Sequence, residues 1–192
     1  MSQEISLIVG LGNPGSEYAP TRHNAGFRFL NALLAGRASA LRAESKFNAN
    51  AEKLAFGSRQ VWVLQPLTFM NRSGEAVAKF AHYYKIPPPE ILVAYDEIDL
   101  PPGVVRLKIG GGSAGHNGMS DVTEKLGSAD TVRLRIGVGH PGDSSHVVSY
   151  VLKRPPPAEE TLIDAAITDA ASYIEEIVQG RFEKVMNALH AK

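Results

Sequence analysis

The chain has no cysteine in its 192 residues, which removes disulfides, thiolate nucleophiles and cysteine-rich zinc sites together and fits a reducing compartment. It has no net charge either, since 20 Lys and Arg stand against 20 Asp and Glu. A polyanionic partner would have to be held by a local patch, because there is no overall field to attract it. No apolar run is long enough to span a bilayer, and no charged segment leading into an apolar one opens the chain. These absences predict a soluble, cytoplasmic protein without a membrane partner, with a monomer as the default state. What is present suits one domain covering residues 1–192: 44% of residues are hydrophobic, enough for a sizeable core.

Strand-like and helix-like segments alternate along the chain, which predicts an α/β fold. Ile5 to Val9 is an apolar run ending in glycine. After Asn24, a candidate N-cap, Phe27, Leu30, Leu33 and Leu34 recur at helical spacing until Gly36. Leu54 to Phe56 and Val61 to Leu64 flank Gly57-Ser58 as a hairpin. A second helical stripe runs from Ser73 through Ala76, Val77, Phe80, Ala81 and Tyr84, and stops before Pro87. Ile91 to Tyr95, Val104 to Leu107 and Val132 to Val138 read as strands, with a short helix over Asn117 to Leu126. Beyond Pro155-Pro156-Pro157, Leu162 to Val178 and Phe182 to Leu189 read as two helices joined at Gly180. So small a cysteine-free segment would be marginal alone, so these helices are expected to pack on the sheet from about residue 157.

Five Gly- or Pro-punctuated segments carry polar groups that have no core to pack into. They are Gly10-Leu11-Gly12-Asn13-Pro14-Gly15, Thr21-Arg22-His23-Asn24, Thr68-Phe69-Met70-Asn71-Arg72-Ser73-Gly74, Asp96-Glu97-Ile98-Asp99-Leu100-Pro101 and Gly115-His116-Asn117-Gly118. Three amides, an imidazole and a carboxylate on five loops suggest a convergent hydrolytic site. The first segment has the spacing of a dinucleotide-binding turn. That turn needs a helix opening at once and an acidic residue about twenty positions on. Here Pro14 and Pro20 interrupt the helix, and residues 29–43 contain no acid. The glycine cluster from Gly110 to Gly118 lacks the lysine and hydroxyl of a nucleotide-triphosphate loop, though its glycines would let a nucleic-acid end approach the backbone. No nucleotide cofactor is expected.

In this order and combination, the five segments resemble bacterial-type peptidyl-tRNA hydrolase. Tyr18, Pro66, Arg106-Leu107-Lys108 and Arg133-Leu134-Arg135-Ile136-Gly137-Val138-Gly139-His140-Pro141 extend the match from residue 5 to about residue 150. Ser113-Ala114 depart from the His or Gly, then Gly, frequent there, and Gln65 stands for a frequent Lys. The resemblance implies a single domain built on a twisted mixed β-sheet surrounded by α-helices. The implied reaction is metal-free hydrolysis of the ester between a peptide, or an N-blocked amino acid, and the 3′ ribose of tRNA.

In that reading His23 is the general base, because imidazole accepts a proton near neutrality, and Asp96 orients it. Glu97 and Asp99 are rivals to Asp96. Asn13, Asn71 and Asn117 line the site, with Asn71 the first choice as oxyanion donor and the other two positioning substrate and water. Asn24 reads as a helix cap. Met70, Tyr18 and His116 belong to the substrate channel. Arg106 and Lys108 alternate on one strand and Arg133 and Arg135 on another, each pair on one face. By resemblance, Lys108 and Arg135 clamp the tRNA 5′ phosphate. Two rivals remain open. His116, His140 and His146 with Asp96 or Asp99 would make a metal-dependent hydrolase, although their spacing matches no tight ligand motif. A non-enzymatic RNA-binding module needs the basic strands but gives no reason for His23 with Asp96.

Overall fold

The computed structural model describes residues 3–38 and 40–191. Its strands are β1 (Leu7–Gly10), β2 (Arg42–Glu44), β3 (Ala49–Phe56), β4 (Arg59–Pro66), β5 (Ile91–Glu97), β6 (Val105–Ile109) and β7 (Val132–Gly137). Its helices are α1 (Ala25–Leu34), α2 (Ser73–Tyr83), α3 (Asn117–Leu126), α4 (Val147–Val151), α5 (Pro157–Ala171), α6 (Ile174–Val178) and α7 (Phe182–His190). Strand β1 begins after Ser6 because the Ile5 and Ser6 amides donate to Val178 and Glu90 carbonyls outside the ladder.

The strands form one mixed sheet in the order β2-β3-β4-β1-β5-β7-β6. Neighbours from β4 to β7 are parallel, whereas β2-β3, β3-β4 and β6-β7 pair antiparallel. Both faces are covered, so β5 is buried at every position and reads as an apolar run from Ile91 to Tyr95 before its two carboxylates. On one face, Ile8, Leu92, Ala94, Leu134 and Ile136 pack against α1, α5, α6 and α7. On the other, Leu7, Val9, Ile91, Val93 and Tyr95 pack against α2 and α3. The C-terminal helices thus complete one face of the core.

The helix expected from Leu162 to Val178 starts earlier and is broken. Pro157 opens α5, where a missing amide costs nothing. Near its end, Ser172 Oγ donates back to Asp169 O at 2.5 Å and Tyr173 N donates to Ala170 O, a tightened turn that ends α5. The break lets Ile174, Ile177 and Val178 of α6 reach the core.

From β1 the chain reaches β4 on one side, and from β4 it crosses to β5 on the other. β1 and β5 therefore flank a switch point, and ligands in such sheets bind beyond the carboxyl ends of those strands. Two glycines bring α1 onto this end. A Cβ on Gly10 would lie 2.3 Å from Gly26 O, and one on Gly26 would lie 2.4 Å from Ala94 O. That close approach seats the turn before α1 directly over β5.

Candidate active site

Asp96 is the penultimate residue of β5, 3% exposed, on the strand end that the α1 turn covers. His23, on the 3-10 turn Arg22–Asn24, places Nδ1 at 2.8 Å from Asp96 Oδ2. His116 places Nε2 at 2.8 Å from Asp96 Oδ1. The buried carboxylate thus spends one oxygen on each imidazole. His116 caps α3: its Nδ1 accepts from Met119 N at 3.1 Å, so the proton of the neutral ring sits on Nε2 and is donated to Asp96. His23 donates from Nδ1 to Asp96, which leaves Nε2 without a partner among the described residues.

Electrostatics agree with that assignment. Burial by itself would push the His23 imidazole down, but the Asp96 charge and hydrogen bond outweigh it and hold the group above its ordinary 6.5. Burial alone would raise Asp96, yet the charges and hydrogen bonds of His23 and His116 hold it far below the usual carboxylate range.

Asn13 is 6% exposed and fixed from three directions. Its backbone N–H donates to Asn24 Oδ1 and its carbonyl accepts from Asn24 Nδ2, both at 2.9 Å. Asn24 stands at the N-cap position of α1 as expected, but its side chain makes no capping bond and instead pairs like a strand with the loop after β1. Met70 N donates to Asn13 Oδ1 at 2.7 Å, which settles which end of the amide is oxygen and leaves Nδ2 as the open donor. Asn71 and Asn117 are exposed and make no anchoring side-chain bond among the described residues. The fold thus fixes the orientation of the Asn13 amide, whereas Asn71, the first choice as donor from the sequence, borders the same cleft without such an anchor.

These residues line one cleft of about 780 Å³. Asn13, His23, Met70, Asn71, Asp96, His116 and Asn117 all border it, as do Glu97 and Asp99. Tyr18 does not; its ring meets the exposed, cleft-lining Phe69 edge-on at 6.4 Å. His116 is more anchor than channel, being buried with both nitrogens engaged and its ring 5.0 Å from Tyr95. Of the two rivals to Asp96, Glu97 pairs with Arg135 and no side-chain bond links Asp99 to His23. Ala114, one of the departures noted in the sequence, borders the cleft with φ +50°, a left-handed conformation that costs an alanine roughly 1–2 kcal/mol. Sequence reasoning missed the apolar wall of α4, formed by Val147, Val148 and Val151 with Leu152 beyond it.

The four cations of β6 and β7 share one face, with Arg106 opposite Arg135 and Lys108 opposite Arg133, but they are not equivalent. Arg133 is fully buried and donates to Gly112 O, Ala129 O and Thr131 Oγ1, so it ties the glycine cluster to β7 and offers nothing to a ligand. Arg106 bends to Val105 O and Leu189 O. Arg135 pairs through Nε with Glu97 at 2.9 Å, leaving its Nη atoms without protein partners among the described residues. Lys108 is exposed and lies against Gly111, where a Cβ would sit 2.6 Å from Nζ. Lys108 and Arg135 are diagonal neighbours, a relation that places residues about 7–8 Å apart, within reach of long side chains.

His23, Asp96 and His116 offer ligand atoms within 4.8 Å of one another, a set that could hold a metal ion. A metal-bound imidazole normally donates its other N–H to an acceptor. Here the second nitrogen of His116 faces the Met119 N–H donor. Metal binding at Nε2 would need an imidazolate or loss of the α3 cap. Of the other rival ligands, His140 borders the cleft with Nδ1 already accepting from Gly142 N at 2.9 Å, and His146 is not among the residues lining it.

A family model described as peptidyl-tRNA hydrolase matches residues 7–192. The chain is 52% identical to a peptidyl-tRNA hydrolase of Pectobacterium atrosepticum, covering 97% of this chain and 96% of that one. It is 48% identical to one of Neisseria gonorrhoeae over the whole of both chains. A crystal structure of peptidyl-tRNA hydrolase from Acinetobacter baumannii superposes with a TM-score of 0.95 at 46% identity, covering 98% of this chain and 96% of that one.

Proposed function

The chain belongs to the peptidyl-tRNA hydrolase family and hydrolyses the ester of peptidyl-tRNA, and from that premise we propose which of its groups perform the reaction. The observation that carries the proposal is the His23–Asp96 contact with His23 Nε2 open to the cleft. His23 Nε2 takes a proton from water, and the water oxygen attacks the ester carbonyl. The Asp96 carboxylate holds the imidazole in the Nδ1–H tautomer and stabilises the imidazolium that forms. Asn13 Nδ2 donates to the developing oxyanion, with Asn71 beside it on the same cleft. The imidazolium then returns its proton to the leaving 3′ ribose oxygen, releasing peptide and tRNA. Asn117 and Met70 border the substrate, and Tyr18 acts through Phe69. The chemistry needs no metal, because proton transfer and amide donors supply both activation and charge stabilisation.

The peptide lies along the α4 wall, and the acceptor end of the tRNA reaches the edge formed by β6 and β7. Lys108 and the open Nη atoms of Arg135 take the 5′ phosphate. Lys108→Ala is expected to weaken tRNA binding and reduce the slope of log affinity against log salt by about 1. An unchanged slope, measured by binding titrations at several ionic strengths, contradicts the clamp. Residues 1–192 act as one domain, a monomer of the cytoplasm. None of the helices among the described residues is long and apolar enough to cross a membrane.

The acid–base assignment is tested by the pH dependence of kcat/KM. The base must be neutral to accept a proton, and His23 is held above 6.5, so activity should climb with pH along a limb centred above 6.5. In Asp96→Asn the raising influences vanish while burial remains, so the limb should move to lower pH. A limb that stays in place removes His23 from the role of base.

A further inference from the structure

Arg22 is 7% exposed, and among the described residues its guanidinium joins no ion pair. Its Nη1 donates to Tyr150 O at 2.9 Å and reaches Lys153 O at 3.4 Å, while the guanidinium carbon lies 3.7 Å from the centre of the Tyr150 ring. Its backbone N–H donates to Lys153 O at 3.1 Å, and its Nε is buried without a partner. Tyr150 is held in turn by its hydroxyl, which donates to Val138 O at 2.7 Å. A buried cation with no counter-charge is costly, so its place needs a physical explanation. One acceptor, Tyr150 O, lies in the last turn of α4 and also accepts from Lys153 N at 3.2 Å, and the other, Lys153 O, lies just beyond the helix; this end of a helix carries partial negative charge.

Helix α4 has five residues and exposes Val148 at 65% and Leu152, just beyond it, at 38%. So short a helix is not stable by itself. The segment leading to it turns through Gly139 and Gly142, both at positive φ. Arg22 precedes His23 on the same 3-10 turn. Whatever fastens Arg22 to α4 therefore sets the separation between the base and the apolar wall.

We propose that Arg22 is a positioning residue that latches α4 to the catalytic turn through Tyr150 and so fixes the width of the cleft on the peptide side. This rests on the reading that the peptide lies along α4. The latch acts on how well the enzyme grips the residue esterified to tRNA. A bulky side chain that meets Val148 and Leu152 depends on it, and glycine does not.

The test compares kcat/KM for N-acetyl-phenylalanyl and N-acetyl-glycyl esters of the same tRNA, in the native protein, Arg22→Met, Tyr150→Leu and the double variant, with thermal melts alongside. The native preference for the phenylalanyl ester should fall about tenfold in each single variant, the scale at which an apolar pocket discriminates. It should fall no further in the double variant, because both changes open one latch. The pH limb should stay in place. If Arg22→Met does not fold, Tyr150→Leu carries the test, since it removes the ring and hydroxyl and keeps the backbone carbonyls. A preference that survives in the folded variants, with both substrates slowed in parallel, overturns the latch. A native enzyme with no preference between the two esters contradicts the peptide-wall reading itself, and no hydrolysis of either contradicts the assigned chemistry.

Discussion

Asp96→Asn is expected to lower kcat by about 10⁴, the scale at which a misplaced tautomer disables an imidazole base. The size follows from His116. Its Nδ1 is committed to accepting from Met119 N, so its Nε2 must donate. An amide at position 96 can satisfy that donor only with its single oxygen, which turns the NH₂ towards His23. The NH₂ then forces His23 Nδ1 to accept, moves the ring proton to Nε2 and removes the lone pair that takes the proton from water. Folding should survive, because the amide matches the carboxylate in shape and meets both rings. Single-turnover kinetics with N-acetyl-aminoacyl-tRNA checks the loss. A variant within tenfold of the native rate would mean that Asp96 does not set the tautomer.

His23→Ala is the second large effect. Removing a positioned base is expected to cost on the order of 10² to 10⁴ in rate. Binding should change little, because the proposed phosphate contacts lie on β6 and β7, away from the 3-10 turn. The variant should thus be slow with a nearly native KM, the mark of a group that works in the transition state. The Asp96 carboxylate loses one of its two imidazole partners, so its pKa should rise towards the ordinary range. A folded-state pKa held down on a carboxylate contributes stability that is present above the unfolded value and lost as pH falls. Below the ordinary carboxylate range, where His23 is already protonated in the native protein, His23→Ala should therefore lose less stability on further acidification than the native protein, which pH-dependent melts would show.

The segments that border the cleft were legible in the sequence because glycines and prolines mark loops, where polar side chains have no core to pack into. Asn13, His23, Asn71, Asp96, His116 and Asn117 do border one cleft. What the sequence could not show is how they divide the work. His116 and Asp96 are 20 residues apart, and only the fold reveals that a helix-capping bond fixes the histidine proton. Asn13 and Asn71 look alike as amides in glycine-marked loops, yet the Met70 amide orients only the first. The alternation of Arg133 with Arg135 correctly gave their shared face. It could not reveal that the first is sealed under the Gly112 and Ala129 carbonyls.

Among the secondary elements, apolar periodicity located the central strands and the long helices, where burial dominates. It missed β2, whose Arg42–Glu44 pairs at the edge of the sheet with little burial and so leaves no apolar pattern. It also missed α4, where Val147, Val148, Val151 and Leu152 do follow a helical spacing. Those apolar residues face a cleft instead of the core, and the Gly, Ser and His around them resemble a loop.

The central claim is metal-free hydrolysis with His23 as base, and the most direct test is the release of N-acetyl-aminoacyl groups from tRNA in excess chelator, followed from acid to neutral pH. The account predicts full turnover in chelator, rising with pH along a limb centred above 6.5. Turnover that stops in chelator and returns with added divalent metal would contradict it, and would reassign His23, Asp96 and His116 as ligands.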